Sequence, residues 1–210
     1  ILAITDGEDY ITLAPSQDHK RILDGDHGKN TGGMGAYAPA PVVTDDIKEM
    51  VCSQIIEPTI KGIAQEGQKI VGCLYAGLMI RDGQPYVIEY NVRLGDPEAQ
   101  AVMPLFEGDF AALLYSAANG KLDKSTVKDV KSSVACCVVL ASYGYPLKYE
   151  KWFPVTGIKE AEDEGAIIYH AGTTLKSGQL FSSGGRVLGV TALGNSIRQA
   201  IDNTFKAVNT

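Results

Sequence analysis

No apolar run in the sequence approaches the roughly 20 residues that a bilayer-crossing helix needs, and the longest candidates, such as Ser133–Ala141, are strand-sized. Basic excess is also missing. With 19 Lys and Arg against 25 Asp and Glu, the net charge of −6 argues against a binder of duplex nucleic acid. Nucleotides and sugar phosphates stay open, because local groups hold them. The four cysteines, Cys52, Cys73, Cys136 and Cys137, include no Cys-x-x-Cys pair and no histidine at metal-ligand spacing. Cys136 and Cys137 lie inside an apolar run and read as small buried hydrophobes, as expected in a reducing, cytoplasmic setting. Neither Walker A spacing nor Gly-x-Gly-x-x-Gly occurs, and no Gly-x-Ser-x-Gly or Cys–His arrangement offers a covalent nucleophile. Internal repeats and a signal-peptide pattern are likewise absent. The chain opens Ile1-Leu2-Ala3-Ile4-Thr5, without Met and already strand-like, so it is expected to be part of a longer protein. What is present, 45% hydrophobic residues over 210, supports a packed core in one large domain or one domain plus a satellite.

Ile1–Thr5 and Tyr10–Ala14 flank the turn-forming Asp6-Gly7-Glu8-Asp9 and predict a β-hairpin. From Pro15 to Pro41 apolar periodicity fades into Gly, Pro, Asp and Asn; a long loop of this kind tends to be functional. Thr44-Asp45-Asp46 supplies a cap for a helix to about Glu66, carried by Ile47, Val51, Ile55, Ile60 and Ile63, and Pro58 predicts a kink or break. A second hairpin is expected from Leu74–Ile80 and Tyr86–Tyr90, and a helix capped by Asp109 over Asp109–Ala118. Lys121–Lys131 reads as a linker. Beyond it, Ser133–Leu140, Ile167–His170 and Arg186–Ala192 are short β-rich runs closed by a helix over Ser196–Ala207.

The segment Val87-Ile88-Glu89-Tyr90-Asn91-Val92-Arg93 alternates as an extended strand. Ile88, Tyr90 and Val92 would pack into a core while Glu89, Asn91 and Arg93 line the other face. A carboxylate and an amide oxygen two residues apart suit Mg²⁺, and Arg93 adds a fork for phosphate or carboxylate. The plain alternative is a solvated strand face. Leu94-Gly95-Asp96-Pro97-Glu98 follows at once, crowding carboxylates that need cations nearby. In Gly28-Lys29-Asn30-Thr31-Gly32-Gly33-Met34-Gly35, successive N–H groups could form an anion-binding nest, although most such loops are only turns. Ser16-Gln17-Asp18-His19-Lys20-Arg21 could anchor phosphates or be a solvated loop. His170 reads as structural.

Taken in order, Ser16–Arg21, then Asn30-Thr31-Gly32-Gly33-Met34-Gly35-Ala36-Tyr37, then Glu89-Tyr90-Asn91-Val92-Arg93-Leu94-Gly95-Asp96-Pro97-Glu98 closely resemble the phosphoribosylamine–glycine ligase family of the ATP-grasp superfamily. Leu74–Met79, Ala38–Pro41, His170-Ala171-Gly172-Thr173 and Gly184-Gly185-Arg186-Val187-Leu188 extend the likeness along almost the whole chain. The resemblance implies an α+β fold: a partial ATP-grasp unit, an antiparallel sheet with helices, over residues 1–125, then a small β-rich C-terminal domain over 126–210. It also implies an N-terminal half, outside this sequence, that carries most of the nucleotide contacts.

The activity implied is ATP-dependent joining of glycine to 5-phosphoribosylamine through a glycyl phosphate, in purine synthesis in the cytoplasm. ATP, glycine and 5-phosphoribosylamine would be the partners, with no nucleic acid or membrane. By the same resemblance, Glu89 and Asn91 match metal ligands for Mg²⁺ or Mn²⁺, and Arg93 would hold the transferred phosphate or the glycine carboxylate. Asp18, Lys20, Asn30, Thr31, Gly32, Gly33, Met34 and Gly35, with Gly95, Asp96, Pro97 and Glu98, would surround the substrates. Two other readings compete: an ATP-grasp ligase for another small acid, and a non-catalytic fragment or assembly module.

Overall fold

In the computed structural model, residues 1–130 and 133–210 are described. In chain order come β1 (Leu2–Thr5), β2 (Tyr10–Thr12), β3 (Gln17–Asp18), β4 (Arg21–Leu23), β5 (His27–Asn30) and β6 (Gly35–Ala38). Then follow α1 (Asp45–Val51), a π-helical turn over Cys52–Ile56, and α2 (Glu57–Gln65). β7 (Gly72–Arg81), β8 (Gln84–Asn91), α3 (Glu98–Val102), β9 (Phe106–Gly108), α4 (Phe110–Ala118) and β10 (Val127–Val130) come next. The last stretch holds β11 (Val134–Ala141), α5 (Ile158–Asp163), β12 (Ile167–His170), β13 (Thr173–Lys176), β14 (Gln179–Ser182), β15 (Arg186–Gly194) and α6 (Ile197–Val208). The described residues gather into two compact units that interleave along the chain: 1–16, 39–95 and 105–130 in one, and 17–38, 96–104 and 133–210 in the other. A single boundary near residue 125 does not describe that packing, because two inserted segments of the first 125 residues belong to the second unit.

The first unit is built on an antiparallel sheet ordered β2-β1-β7-β8. Ala3, Leu74 and Ala76 on one face are buried with Ile47, Val51, Ile55, Ile56 and Ile60 of the helical run. Each of the larger side chains contributes about 1.5–3 kcal/mol by leaving water. Thr44 caps that run by accepting from the Ile47 N–H at 3.3 Å. Pro58 has no N–H to donate and lies in the first turn of α2, so the π turn just before it absorbs the break that the sequence predicts. On the opposite face Leu2 and Ile4 are buried, and α4, capped by Asp109 accepting from Ala112 N–H at 2.8 Å, packs on β1 and β7.

Three expectations are corrected here. Ile88, Tyr90 and Val92 do not enter a core: they are 64%, 42% and 74% exposed. β8 is the edge of its sheet, with β7 as its one hydrogen-bonded neighbour among the described residues, and Tyr90 reaches α2 through its hydroxyl, 2.8 Å from Thr59 Oγ1. The Lys121–Lys131 linker is structured as far as it is described: Leu122 N–H donates to Asp6 Oδ2 at 2.7 Å, and β10 pairs with β9. Lys131 lies outside the described residues. Residues 15–41 hold four strands of two to four residues, too short to show periodicity in sequence.

The second unit is built on an antiparallel sheet ordered β12-β15-β11-β6-β3, with α6 packed on β11 and β15. Ser196 caps α6, and Ala207 joins Ala161, Ala166 and Val190 in a small core. Cys136 and Cys137 are buried in β11 as the sequence predicts; burial pushes the Cys137 thiol up to about 12.

Candidate functional site

Two clusters hold the residues singled out in sequence. In the first unit, β8 carries Glu89 opposite Gly77 and Asn91 opposite Tyr75. A side chain at Gly77 would meet Glu89 Cγ at 2.9 Å, so the missing Cβ makes room for this carboxylate. Glu89 is exposed and Asn91 half-buried. Among the described residues no group of three or more Asp, Glu, His or Cys is placed to hold a metal. A carboxylate and an amide oxygen still fit Mg²⁺, which keeps several waters and takes substrate phosphates beside one or two protein ligands. Arg93 is exposed, donating to Leu94 O at 2.9 Å, and Gly95 is buried just beyond it.

The second unit assembles Asp18, Lys20, the 30–35 loop and Asp96-Pro97-Glu98. β3 pairs with β6, setting Asp18 opposite Ala36. His19 N–H donates to Gly35 O at 2.9 Å, and Met34 N–H returns to His19 O at 2.8 Å. Asn30 ends β5 opposite Arg21. Gly33 adopts φ +111°, and any Cβ there would fall 2.4 Å from Pro97 Cδ and 3.0 Å from Asp18 Oδ1. The Asp18 side chain is only 9% exposed, Glu98 is buried, and Lys20 Nζ lies 3.9 Å from Asp18 Oδ2. Burial, reinforced by the Glu98 charge, pushes the Asp18 carboxyl up to about 7 against the opposing pull of Lys20, the His19 N–H and Arg186.

An anion-binding nest is not what the loop forms. Four successive N–H groups already have partners: Thr31 on Lys20 O, Gly32 on the Tyr145 hydroxyl, Gly33 on Thr31 Oγ1 and Met34 on His19 O. The loop is braced by its own backbone and by two residues that the sequence left unassigned, Tyr145 and Arg186. Arg186 Nη1 donates to Gly32 O at 2.9 Å and to Asp96 O at 2.9 Å, while Nη2 lies 2.8 Å from Asp96 Oδ2. Gln100 adds an Nε2 bond to Asp96 Oδ1 at 2.9 Å. Arg186 is thus a cation that the carboxylate crowding called for. Its signal was Gly184-Gly185-Arg186: a Cβ on Gly185 would strike the Tyr145 ring at 2.4 Å, and one on Gly184 would strike Gly172 Cα at 2.8 Å. His170 stays structural, its Nδ1 3.0 Å from Thr173 Oγ1. An open cavity of about 250 Å³ in this unit, lined by Trp152, Lys176, Ser177, Gln179 and Phe181, includes none of these residues.

Residues 1–99 match the family model for the phosphoribosylglycinamide synthetase ATP-grasp (A) domain, and residues 135–210 match the model for the C domain of the same synthetase. A phosphoribosylamine–glycine ligase from Vigna unguiculata is 50% identical over 98% of this chain and 68% of its own length. One from Vibrio vulnificus strain YJ016 is 48% identical over 98% of this chain and 48% of its own length, so the chain spans about half of that relative. The crystal structure of phosphoribosylamine–glycine ligase from Thermotoga maritima superposes with a TM-score of 0.88 at 34% identity, over 99% of this chain and 51% of that one. With both family models matching in order along its length and a relative 50% identical over 98% of it, the chain belongs to the phosphoribosylglycinamide synthetase family of ATP-grasp proteins.

Proposed function

We propose that this chain works as part of an ATP-dependent ligase that joins glycine to 5-phosphoribosylamine, giving glycinamide ribonucleotide, ADP and phosphate. The observation that carries this reading is collinear likeness over 98% of the chain to relatives named for that activity. Residues 1–125, with the metal and substrate motifs, and 126–210 would be its two sequence modules. The remaining half of the relatives' length would come from an N-terminal segment supplying most of the nucleotide contacts. The exposed apolar residues of β8 supply a surface that further chain could cover. Its setting would be the cytoplasm.

Within that reading the glycine carboxylate attacks the γ-phosphate of ATP, and the amine then displaces phosphate from the glycyl phosphate. Glu89 and Asn91 would hold Mg²⁺ or Mn²⁺. When bound, the ion supplies charge neutralisation on the phosphates that an incoming carboxylate must approach. Arg93 would hold the transferred phosphate or the glycine carboxylate, since a guanidinium matches either with two parallel bonds. Asp18, Lys20, Asn30–Gly35, Gly95, Asp96, Pro97 and Glu98 would position the substrates, and such chemistry asks chiefly for positioning.

The test is ADP release dependent on both glycine and 5-phosphoribosylamine, run on the purified chain beside a full-length protein containing it, with intact masses recorded. Activity in the full-length protein alone supports the reading, and the chain by itself is then a non-catalytic piece. Glu89→Gln in the full-length protein should keep the fold and strongly weaken use of Mg·ATP. Normal turnover of that variant at low Mg²⁺ would remove Glu89 as a ligand, and no turnover in the parent would remove the ligase assignment.

A further inference from the structure

We propose that the Asp18 carboxylate accepts the proton of the attacking amine in the amide-forming step, an assignment that rests on the ligase reading above. Asp18 sits in a built site. Its side chain is nine-tenths buried, and Oδ1 is shut from solvent without a hydrogen-bond donor, under the Gly33 backbone. A purely structural carboxylate in such a place normally collects donors, because an unsatisfied buried acceptor costs about 1–3 kcal/mol. Here the nearby backbone donors are committed elsewhere, Met34 N–H to His19 O, Gly33 N–H to Thr31 Oγ1 and His19 N–H to Gly35 O, and only the last keeps a weaker pull on the carboxyl.

The charged groups facing Asp18 come from several elements. Glu98 on α3 disfavours a second negative charge beside it. Arg186 on β15 is engaged with the Asp96 carboxylate and two loop carbonyls, so it offers only a weak opposing pull. Lys20, half-exposed and 3.9 Å from Oδ2, marks the side open to water. On the other flank the His19 ring leans on Tyr37, with centroids 5.3 Å apart. Burial first, and then the Glu98 charge, raise the affinity of Asp18 for a proton to about the neutral range, where a general base works best, against the weaker pull of Lys20, the His19 N–H and Arg186.

The step balances as follows. The neutral amine nitrogen of 5-phosphoribosylamine attacks the carbonyl carbon of glycyl phosphate, and a C–N bond forms. The C–O bond to phosphorus's oxygen breaks, and its electron pair leaves with inorganic phosphate. One N–H proton passes to the Asp18 carboxylate at Oδ2, and from the carboxylic acid to water on the Lys20 side. The acyl phosphate itself needs no base, since its formation starts from an ionised glycine carboxylate. Asp18 is therefore assigned to the second step only.

That separation supplies the experiment, run in a full-length ligase containing this chain. Asp18→Asn is isosteric and removes a buried charge, so the fold should persist. Glycine-dependent positional isotope exchange in ATP, which reports acyl phosphate formation, should stay within about two-fold of the parent, while amide formation falls about 100-fold or more. A rise of kcat/KM near pH 7 is expected in the parent and should be missing in the variant. Hydroxylamine, a nucleophile so weakly basic that its adduct nitrogen gives up its proton to water without a positioned base, should give glycine hydroxamate at the parent rate, and Asp18→Glu should partly restore amide formation. Equal loss of isotope exchange and amide formation, or a persisting pH 7 rise, would overturn the assignment. A parent that shows neither reaction overturns the ligase reading, and this assignment with it.

Discussion

Arg186 and Asp96, 90 residues apart in sequence, meet as a two-pronged ion pair: Nη2 stands 2.8 Å from Oδ2 and Nη1 3.2 Å from Oδ1. The same Nη1 reaches the carbonyls of Gly32 and Asp96, so one guanidinium fastens the 30–35 loop to the Asp96-Pro97 turn. Only a planar fork can serve all of these acceptors at once. Arg186→Ala should lower the stability of the chain by about 1–3 kcal/mol, the usual range for charge-assisted bonds of this kind. Arg186→Lys should recover less than half of that loss, because an ammonium spans one prong. Chemical denaturation midpoints of the three proteins check this, and a lysine variant equal to the parent would show that charge rather than fork geometry holds the loop. In a full-length ligase the same change should raise the KM for substrate more than it lowers kcat.

Gly33 packs against the fastened turn from the other side. At φ +111° it occupies backbone that side chains rarely adopt, and a Cβ would overlap Pro97 Cδ at 2.4 Å. Relief would require moving the proline ring or the loop, both of which Arg186 ties down. Gly33→Ala is therefore expected to destabilise the chain by at least about 1–3 kcal/mol, the strain and overpacking terms acting together. A thermal unfolding midpoint unchanged from the parent would mean the loop is far more compliant than its hydrogen bonds imply.

What could be read from the sequence divides by the range of the forces involved. Thr44 and Asp109 act on N–H groups three residues away, and both caps form as their spacing predicts. Asp82 and Gly83, at φ +52° and +74°, close the β7–β8 hairpin between two apolar runs, again a local signal. Ile88 and Val92 were misplaced because alternation shows which residues share a face but not whether anything covers it. The brace on the 30–35 loop was illegible for a different reason: Tyr145 and Arg186 are 113 and 154 residues from Gly32. Only the glycines that clear their path hinted at it. Asp18 drew notice as part of a polar run, whereas its orphaned oxygen depends on where neighbouring N–H groups point, which no spacing reveals.

Asp6 illustrates how a turn residue becomes an anchor. Its Oδ1 accepts from Glu8 N–H at 2.9 Å and Asp9 N–H at 2.8 Å, and its Oδ2 accepts from Leu122 N–H at 2.7 Å, across 116 residues. Burial pushes the carboxyl up, yet the Asp9, Leu122 and Glu8 N–H bonds outweigh it and hold the group below the usual carboxylate range. With the folded value depressed, its contribution is present above the unfolded value of about 3.9 and is lost as pH falls through the folded one. Asp6→Ala should cost about 2–4 kcal/mol at neutral pH, three bonds to a charged acceptor being left unmade. The difference between variant and parent should narrow below pH 4. Urea denaturation at pH 7 and pH 3 measures both, and an equal gap at the two values would show that the ionised form contributes nothing special.

Asp18 carries the opposite sign. Its folded value is raised, to about 7, so between the unfolded value near 3.9 and that point the native state binds the extra proton. Stability then falls as pH rises through this window, because the unfolded chain can ionise at no penalty while the native chain must hold a proton or bury a charge beside Glu98. The isolated chain should accordingly unfold at lower denaturant at pH 7.5 than at pH 5, over and above the drift from its surface groups. Asn at this position cannot ionise. Asp18→Asn should flatten that part of the profile and leave the variant the more stable protein at pH 7.5. A variant whose profile follows the parent's through pH 4–7 would show that another group titrates there, and that the buried carboxyl is not the source of the slope.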